Sequence, residues 1–340
     1  MSCLEKCKSI LIVKYSALGD VISATSLVRA IRDRYPSIRL TWLVCSPLDR
    51  IISGQSFIDD VIVWDRNGGS WSFFKIISII RKGDFDVLLD LQGVDRSALL
   101  TLFSGIINRI GPHNSWKVLY SVTPGSIWNG QASSNKRLNW LGSCLGIEGN
   151  RSLTPSLDIS PYVVQKLDKR LWDVPEKKIF APLGSSKKVK EWPLIRWEEF
   201  INFALDDDWG VILIGSGKRE KEKAAEIVGR FSSDRVVDFV DELDLEELPA
   251  MASLCSIAIG ADTGPLHLAV AAGVPTIGLF GPTDPDIVFP YYHKVEKISV
   301  SCSHRGCQNW KCDNQECLMD IPADMVFWRM KKLLESLSFS

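Results

Sequence analysis

From residue 9 onward the chain alternates short, nearly continuous apolar runs with segments of helical periodicity. The first run is SILIVKY at 9–15 and the second RLTWLVC at 39–45; others follow at 61–65, 86–90, 178–183, 210–214, 236–240, 257–260 and 276–280. Helical patterns separate them, notably at 21–34, 219–231 and 266–272. Strands apolar on both faces, each followed by a helix, predict parallel sheets covered by helices. The pattern occurs twice, so the expected fold is α/β with two Rossmann-like domains. The segment GNRSLTPSLDISP at 149–161 is rich in Gly, Ser and Pro, has no periodicity and reads as the linker. A length of 340 residues suits two ordinary domains. Ligands of open α/β sheets bind beyond the carboxyl ends of the strands. The two parallel sheets are therefore expected to face one another across a cleft lined by the loops after the strands.

Composition narrows the class. With 40 basic against 41 acidic residues the chain lacks the basic excess of a general nucleic-acid binder. No apolar run reaches the roughly 18 residues that span a bilayer. The apolar stretch at 10–15 is too short for a signal-peptide core and contains Lys14, so the expected location is the cytoplasm. There the nine cysteines should be thiols or metal ligands, not disulfides.

The most informative segment is IAIGADTGPLHLAVAAGVPTIGLFGPTDP at 257–285. A strand is expected to end at Gly260, with Asp262, Thr263 and Gly264 in the turn and Pro265 at the first helical position. A helix N-terminus presents unpaired N–H groups and positive dipole charge, a ready phosphate site. Gly264 permits close approach of an anion. The plain alternative is a strand–turn–helix with an Asp or Thr cap. His267, on the first turn, is either a structural hydrogen-bonding residue or a ligand contact. A second loop at 281–285 should lie beside the first.

That segment resembles the signature of glycosyltransferase family nine, the ADP-heptose:lipopolysaccharide heptosyltransferases. IVKYSALGDVISATSLVRAIR near the N-terminus is similar to the family's opening strand, turn and helix. DLQGVDRS at 90–97 is similar to its D-x-Q-G-x-x-[KR]-S segment, and KEWP at 190–193 to its K-x-W-P element. The resemblance implies the GT-B architecture: an acceptor-binding domain over 1–160, a nucleotide-sugar domain over 161–322, and a final helix within 323–340 that returns to the first domain. It also implies an inverting transferase that works without a bound metal or other cofactor. The expected partners are ADP-heptose and a lipid-linked lipopolysaccharide acceptor, with peripheral contact at the cytoplasmic face of the inner membrane.

Inverting transfer needs a base for the acceptor hydroxyl and stabilisation of the departing diphosphate. Asp20, in the turn after the first strand, is the candidate base; its alternative is an N-cap for a helix starting at Val21. Lys190 and the N–H groups of Thr263 and Gly264 are candidates for the diphosphate, with Ser185 and Ser186 beside them. Asp262 would take donor-sugar hydroxyls, with His267 nearby, and Glu220 the ribose hydroxyls; an ordinary first-turn acid is the alternative for Glu220. Arg96 and Gln92, together with His113, Trp116 and Lys117, are candidates for an anionic acceptor. Family members often carry a His ahead of the helix that ends the first domain, where this chain reads QASSNKRLNWLG.

Other signals are weaker. Gly215-Ser216-Gly217 lacks the third glycine of a dinucleotide fingerprint, because position 220 is Glu. Asp84-Phe85-Asp86 spells the D-x-D of metal-dependent transferases but sits where a turn should precede a strand. Cys302, Cys307, Cys312 and Cys317 are spaced five apart; structural zinc, an iron–sulfur cluster and plain thiols are all compatible with that spacing. WSFFKIISIIRK at 71–82 reads as a helix packed on the sheet, with a membrane-surface role as the alternative. The rival functions are a nucleotide-sugar epimerase or hydrolase on the same scaffold, a transferase for another nucleotide sugar, and a binding protein that has lost transfer.

Overall fold

β1 (Ser9–Val13) is buried along its whole length, as expected of a strand covered on both faces. It lies at the centre of the first of two parallel sheets in the computed structural model, which describes residues 7–111, 116–122, 134–147, 153–289, 294–299, 307–312 and 316–338. The chain divides into two compact units, Met1–Ser156 and Leu157–Ser340. The division falls inside the segment read as the linker.

In the first unit β1, β2 (Arg39–Cys45), β3 (Asp60–Trp64), β4 (Val87–Asp90) and β5 (Asn108–Ile110) form a five-stranded sheet in the order β3-β2-β1-β4-β5. Ile10 of β1 pairs with Leu40 on one side and Val87 on the other, all parallel. The core joins Leu11, Val13, Leu43 and Leu88 of the sheet to Ile76, Ile77 and Ile80 of helix Gly69–Lys82 and Leu100 of helix Asp95–Phe103. Helix Leu18–Arg34 buries Val21, Ile22, Leu27, Val28 and Ile31 and packs beside helix Ser134–Cys144.

In the second unit β6 (Lys178–Pro182), β7 (Gly210–Ile214), β8 (Val236–Asp238), β9 (Ile257–Ala261), β10 (Thr276–Leu279) and β11 (Val295–Ile298) form a six-stranded parallel sheet in the order β11-β10-β9-β6-β7-β8. The strand order reverses between β1 and β4 in the first sheet and between β6 and β9 in the second. At such a switch point the loops leaving adjacent strands diverge to opposite faces and open a crevice. These two places set the positions of the candidate residues.

Helix Ala323–Ser338 packs on helix Leu194–Asp206. Its buried Val326, Met330 and Leu333 belong to one core with Trp192, Trp197 and Phe200. Its apolar face is thus used within the second unit. The edge strands β5 and β11 were not foreseen. Among the described residues, no helix is long and apolar enough to cross a membrane.

Candidate functional site

At the switch point of the second sheet, the loop after β6 ends in a short turn, Lys188–Lys190. Trp192 fixes that turn. It is buried, its ring meets Trp197 edge-on at 5.0 Å, and its Nε1 donates to the Ile321 carbonyl at 3.2 Å. Pro193 caps the following helix, Leu194–Asp206. K-x-W-P is thus a cation held by a core peg and a helix start. Lys190 Nζ lies 2.6 Å from Asp262 Oδ2, just beyond β9. His267 Nε2 lies 3.4 Å from the other oxygen, Oδ1, and its ring stands 4.9 Å from that of Phe289. Burial alone would raise the pKa of Asp262; the His267 hydrogen bond and the Lys190 charge outweigh it and hold the carboxyl below the usual range.

Helix Gly264–Ala271 begins with Gly264, so Pro265 is its second residue and not its first. Thr263 is the N-cap residue by backbone conformation, yet its side chain makes no capping bond. The N–H groups of Leu266 and His267 both turn to the Thr263 carbonyl, which leaves the N–H groups of Thr263 and Gly264 ahead of the helical ladder. Among the described residues, the Thr263 hydroxyl is buried without a hydrogen-bond partner, and so is that of Thr283 in the loop after β10. A buried hydroxyl without a partner costs on the order of 1–3 kcal/mol. Two of them in the loops after neighbouring strands mark a place built for a polar ligand. Thr283 carries no sequence signal of its own beyond its place in the 281–285 loop.

Glu220 is the third residue of helix Lys218–Phe231, but it is not a solvated first-turn acid. Its Oε2 accepts the Ser216 N–H at 2.9 Å. Its carboxylate lies over Gly184 and Gly215; a Cβ at those glycines would come within 1.8 Å of Glu220 Cδ and 2.4 Å of Oε2. Burial raises its pKa above the ordinary value, against the pull of the Ser216 N–H and with the help of nearby Glu191. Buried Glu191 accepts the Ser185 N–H and pairs with Arg219 at 2.5 Å and with Lys223. Arg219 also donates to the Ser185 carbonyl at 2.7 Å. Ser185 is therefore clamped through its backbone, whereas Ser186 is exposed. The Glu191–Arg219 clamp went unread because nothing local marks a pair so far apart in sequence.

In the first unit, helix Leu18–Arg34 starts three residues before Val21, with Ala17 as its N-cap residue. Asp20 is thus inside the first turn and is not the cap. Its half-exposed carboxylate lies 3.4 Å from the ammonium of buried Lys14. Burial lowers the pKa of Lys14, against the opposing pull of Asp20 and Asp90. The Lys14 backbone is anchored by Trp42 Nε1, which donates to its carbonyl at 2.8 Å. The loop after β4 braces this turn: Gln92 Oε1 accepts the N–H groups of Tyr15 and Ser16 at 3.1 and 3.2 Å. Asp90, fully buried, accepts from the Gln92 and Gly93 N–H groups and from the Ser97 and Tyr120 hydroxyls. Gln92 thus has a bracing role that the sequence did not reveal. Arg96 is exposed on the first turn of helix Asp95–Phe103, which follows that loop. Trp116 Nε1 donates to Asp95, and His113 lies outside the described residues.

Asp86 is a strand clamp, accepting the N–H groups of Lys8 and Ser9 at 2.7 and 3.0 Å, in keeping with the turn reading of D-x-D. Cys302 lies outside the described residues. Among the described residues no three His, Cys, Asp or Glu side chains gather as a metal site, so Cys307, Cys312 and Cys317 do not converge. Cys317 instead packs against the loop after β10, its Sγ 2.7 Å from where a Cβ at Gly281 would stand.

A model described as glycosyltransferase family 9 (heptosyltransferase) matches residues 73–318. The lipopolysaccharide core heptosyltransferase OpsX of Haemophilus influenzae is 23% identical over 352 aligned positions, covering 97% of this chain and 98% of that protein. A family 9 glycosyltransferase structure from Veillonella parvula superposes with a TM-score of 0.82 at 19% identity over 97% of each chain. The Escherichia coli ADP-heptose LPS heptosyltransferase II superposes with a TM-score of 0.77 at 20% identity, covering 97% of this chain and 99% of that one. These superpositions establish a shared GT-B fold of two parallel α/β sheets.

Proposed function

Because the chain belongs to glycosyltransferase family 9, we propose that it transfers a heptose from ADP-heptose to the inner core of lipopolysaccharide, with inversion at the anomeric carbon. The observation that carries this reading is the cluster at the β6–β9 switch point. Lys190, Asp262 and His267 are gathered there, and the Thr263 and Thr283 hydroxyls, in the loops after β9 and β10, have no partner among the described residues. A cation, free N–H groups at a helix start, and unpaired hydroxyls suit a sugar diphosphate. ADP-heptose and lipopolysaccharide core are named in the two relatives above.

In this reading the second unit, from about residue 161 to 322, holds the donor. Lys190 and the N–H groups of Thr263 and Gly264 take the diphosphate, with Ser186 at the edge and Ser185 shaping the loop. Asp262 and His267 take sugar hydroxyls, and Glu220 the ribose hydroxyls. The first unit, residues 1–160, supplies the acceptor side, with Arg96 meeting acceptor anions and Gln92 bracing the turn. Asp20 accepts the proton of the acceptor hydroxyl as its oxygen attacks the anomeric carbon. The bond from that carbon to the diphosphate oxygen breaks, and its electron pair leaves on ADP. Charge grows on the diphosphate in the transition state, so a preset cation and N–H groups lower the barrier. The chemistry as drawn needs no metal. In this reading the acceptor is lipid-linked and the enzyme works at the cytoplasmic face of the inner membrane.

Calorimetric titration with ADP and with UDP, on the native protein and on Asp262→Ala, tests the donor. ADP should bind more tightly than UDP and lose affinity in the variant. Tighter UDP binding would replace the donor, and binding of neither would remove the donor site. Product analysis with and without acceptor separates transfer from hydrolysis or epimerisation: turnover of donor alone would sink the transferase reading.

A further inference from the structure

Helix Gly69–Lys82 has two apolar sides. One stripe, Ser72, Ile76, Ile77 and Ile80, is buried in the first unit. On the other, Trp71 is 79% exposed and Phe74 66%. At 100° per residue, positions 71, 74, 75, 78 and 82 share that outer face. The apolar surface continues onto the end of helix Asp95–Phe103. The half-buried Phe73 ring stands 6.1 Å from Phe74 and 6.4 Å from Phe103, and Phe103 is 46% exposed. Ile107, a few residues further on, is exposed as well.

The charge carried by helix Gly69–Lys82 itself is of one sign. From Arg66 to Gly83 the chain carries Arg66, Lys75, Arg81 and Lys82 and no carboxylate, in a protein whose totals nearly cancel. Asp65 before the segment and Asp84 and Asp86 after it mark its limits. Arg81 is tied to the patch, its Nε donating to the Phe103 carbonyl at 2.9 Å. Exposed Trp and Phe amid Lys and Arg, without acids, is the pattern of a face that sinks its rings to the headgroup level and pairs its cations with lipid phosphates.

We propose that this face, centred on Trp71, Phe74 and Phe103 with Lys75 and Lys82, docks the first unit on a bilayer surface rich in anionic lipid. The proposal deepens the reading of a lipid-linked acceptor, on which it rests for its setting. It gives the enzyme a hold on the membrane that is separate from the acceptor site.

The test is flotation of the full chain with vesicles of phosphatidylethanolamine and phosphatidylglycerol, and with vesicles of phosphatidylcholine alone. The native protein should float with the anionic vesicles, weakly with the neutral ones, and less as salt rises. Trp71→Ser with Phe74→Ser, and separately Lys75→Glu with Lys82→Glu, should each lower the bound fraction at least tenfold. All four positions are solvent-exposed, so the fold should persist, and unchanged ADP affinity would verify it. Absence of vesicle binding, equal binding to both lipids, or undiminished binding of either variant would overturn the proposal. So would sedimentation showing that Trp71 and Phe74 hold two copies of the chain together. Transfer to a delipidated acceptor separates the readings: if it persists while vesicle binding fails, the docking face is wrong and the transferase reading stands.

Discussion

Lys190 Nζ and Asp262 Oδ2 stand 2.6 Å apart, with the two side chains only 14% and 9% exposed. The cation proposed for the leaving diphosphate and the carboxylate proposed for the sugar hydroxyls are therefore partners of one another. An arriving diphosphate competes for a lysine that is already fixed in place. Asp262 in turn keeps His267 as a second donor. The pair explains how a largely buried lysine side chain is tolerated here: its charge is compensated before any substrate binds.

Replacing Lys190 with Met leaves the buried Asp262 with His267 alone. Loss of one partner of a buried pair costs about 3–5 kcal/mol. The folded pKa of Asp262 is depressed, so the stabilisation is complete above the unfolded carboxylate value of about 3.9 and fades as pH falls through the lower folded value. Urea melts should show the full gap between native and variant at neutral pH and a narrowing gap in acid. A gap that does not change with pH would sink this account.

Asp20→Asn should lower the transfer rate by roughly 10²–10⁴-fold, the usual contribution of a positioned general base. The variant also removes the charge that faces the ammonium of buried Lys14, which predicts a destabilisation of about 0.5–3 kcal/mol. ADP affinity, measured by calorimetry, should be unchanged. A parallel fall in ADP affinity would reassign Asp20 to binding.

Burial depresses the pKa of Lys14. The unfolded chain then binds more protons than the folded one between the two values, so stability rises with pH as it approaches the ordinary lysine value of about 10.4. Lys14→Met should flatten that alkaline rise. The same variant should slow transfer at constant ADP affinity, because the cation beside Asp20 is lost. Thermal melts across pH, paired with transfer rates, check both.

Glu220 has the opposite linkage. Its raised pKa means the folded chain protonates it more readily, so stability falls as pH rises from the ordinary carboxylate range through the folded value. Glu220→Gln should therefore melt higher at neutral pH, lose that advantage in acid, and bind ADP more weakly. A Gln that binds ADP as well as Glu would remove the ribose role.

Gly184→Ala is the companion test. Its methyl would stand 1.8 Å from Glu220 Cδ, so the glutamate must swing away. The displaced group is the end of a flexible side chain, and the melting temperature should change little. ADP affinity should fall to the level of Glu220→Ala; an affinity equal to the native protein would show that Glu220 does not need its place over Gly184.

The central strands were legible because their residues are apolar on both faces, as in SILIV of β1 and IAIGA of β9. Of the edge strands, β3 and β8 were read as well, but two were not: NRI of β5 and VEKI of β11 carry charges among their few residues. The start of the first helix was misplaced because Asp20 looks like a cap. In fact Ala17 begins the helix from an extended backbone with no side-chain bond, which leaves no compositional trace. At the β6–β9 switch point, Lys190 and Asp262 were each readable from a motif, but their pairing joins residues 72 apart. Glu191 and Arg219 act through ion pairs and a backbone clamp, which appear only once the loops after β6 and β7 are brought together.

Gln92 spans two loops with one oxygen, taking the N–H groups of both Tyr15 and Ser16. The backbone that leads into Asp20 is therefore held by a side chain from the loop after β4, and drift at position 92 is felt in the turn that carries Asp20. Across descendants of this chain the two loops are expected to change together: a lineage that replaces Gln92 must also remodel residues 15–17 or find a new acceptor for those N–H groups.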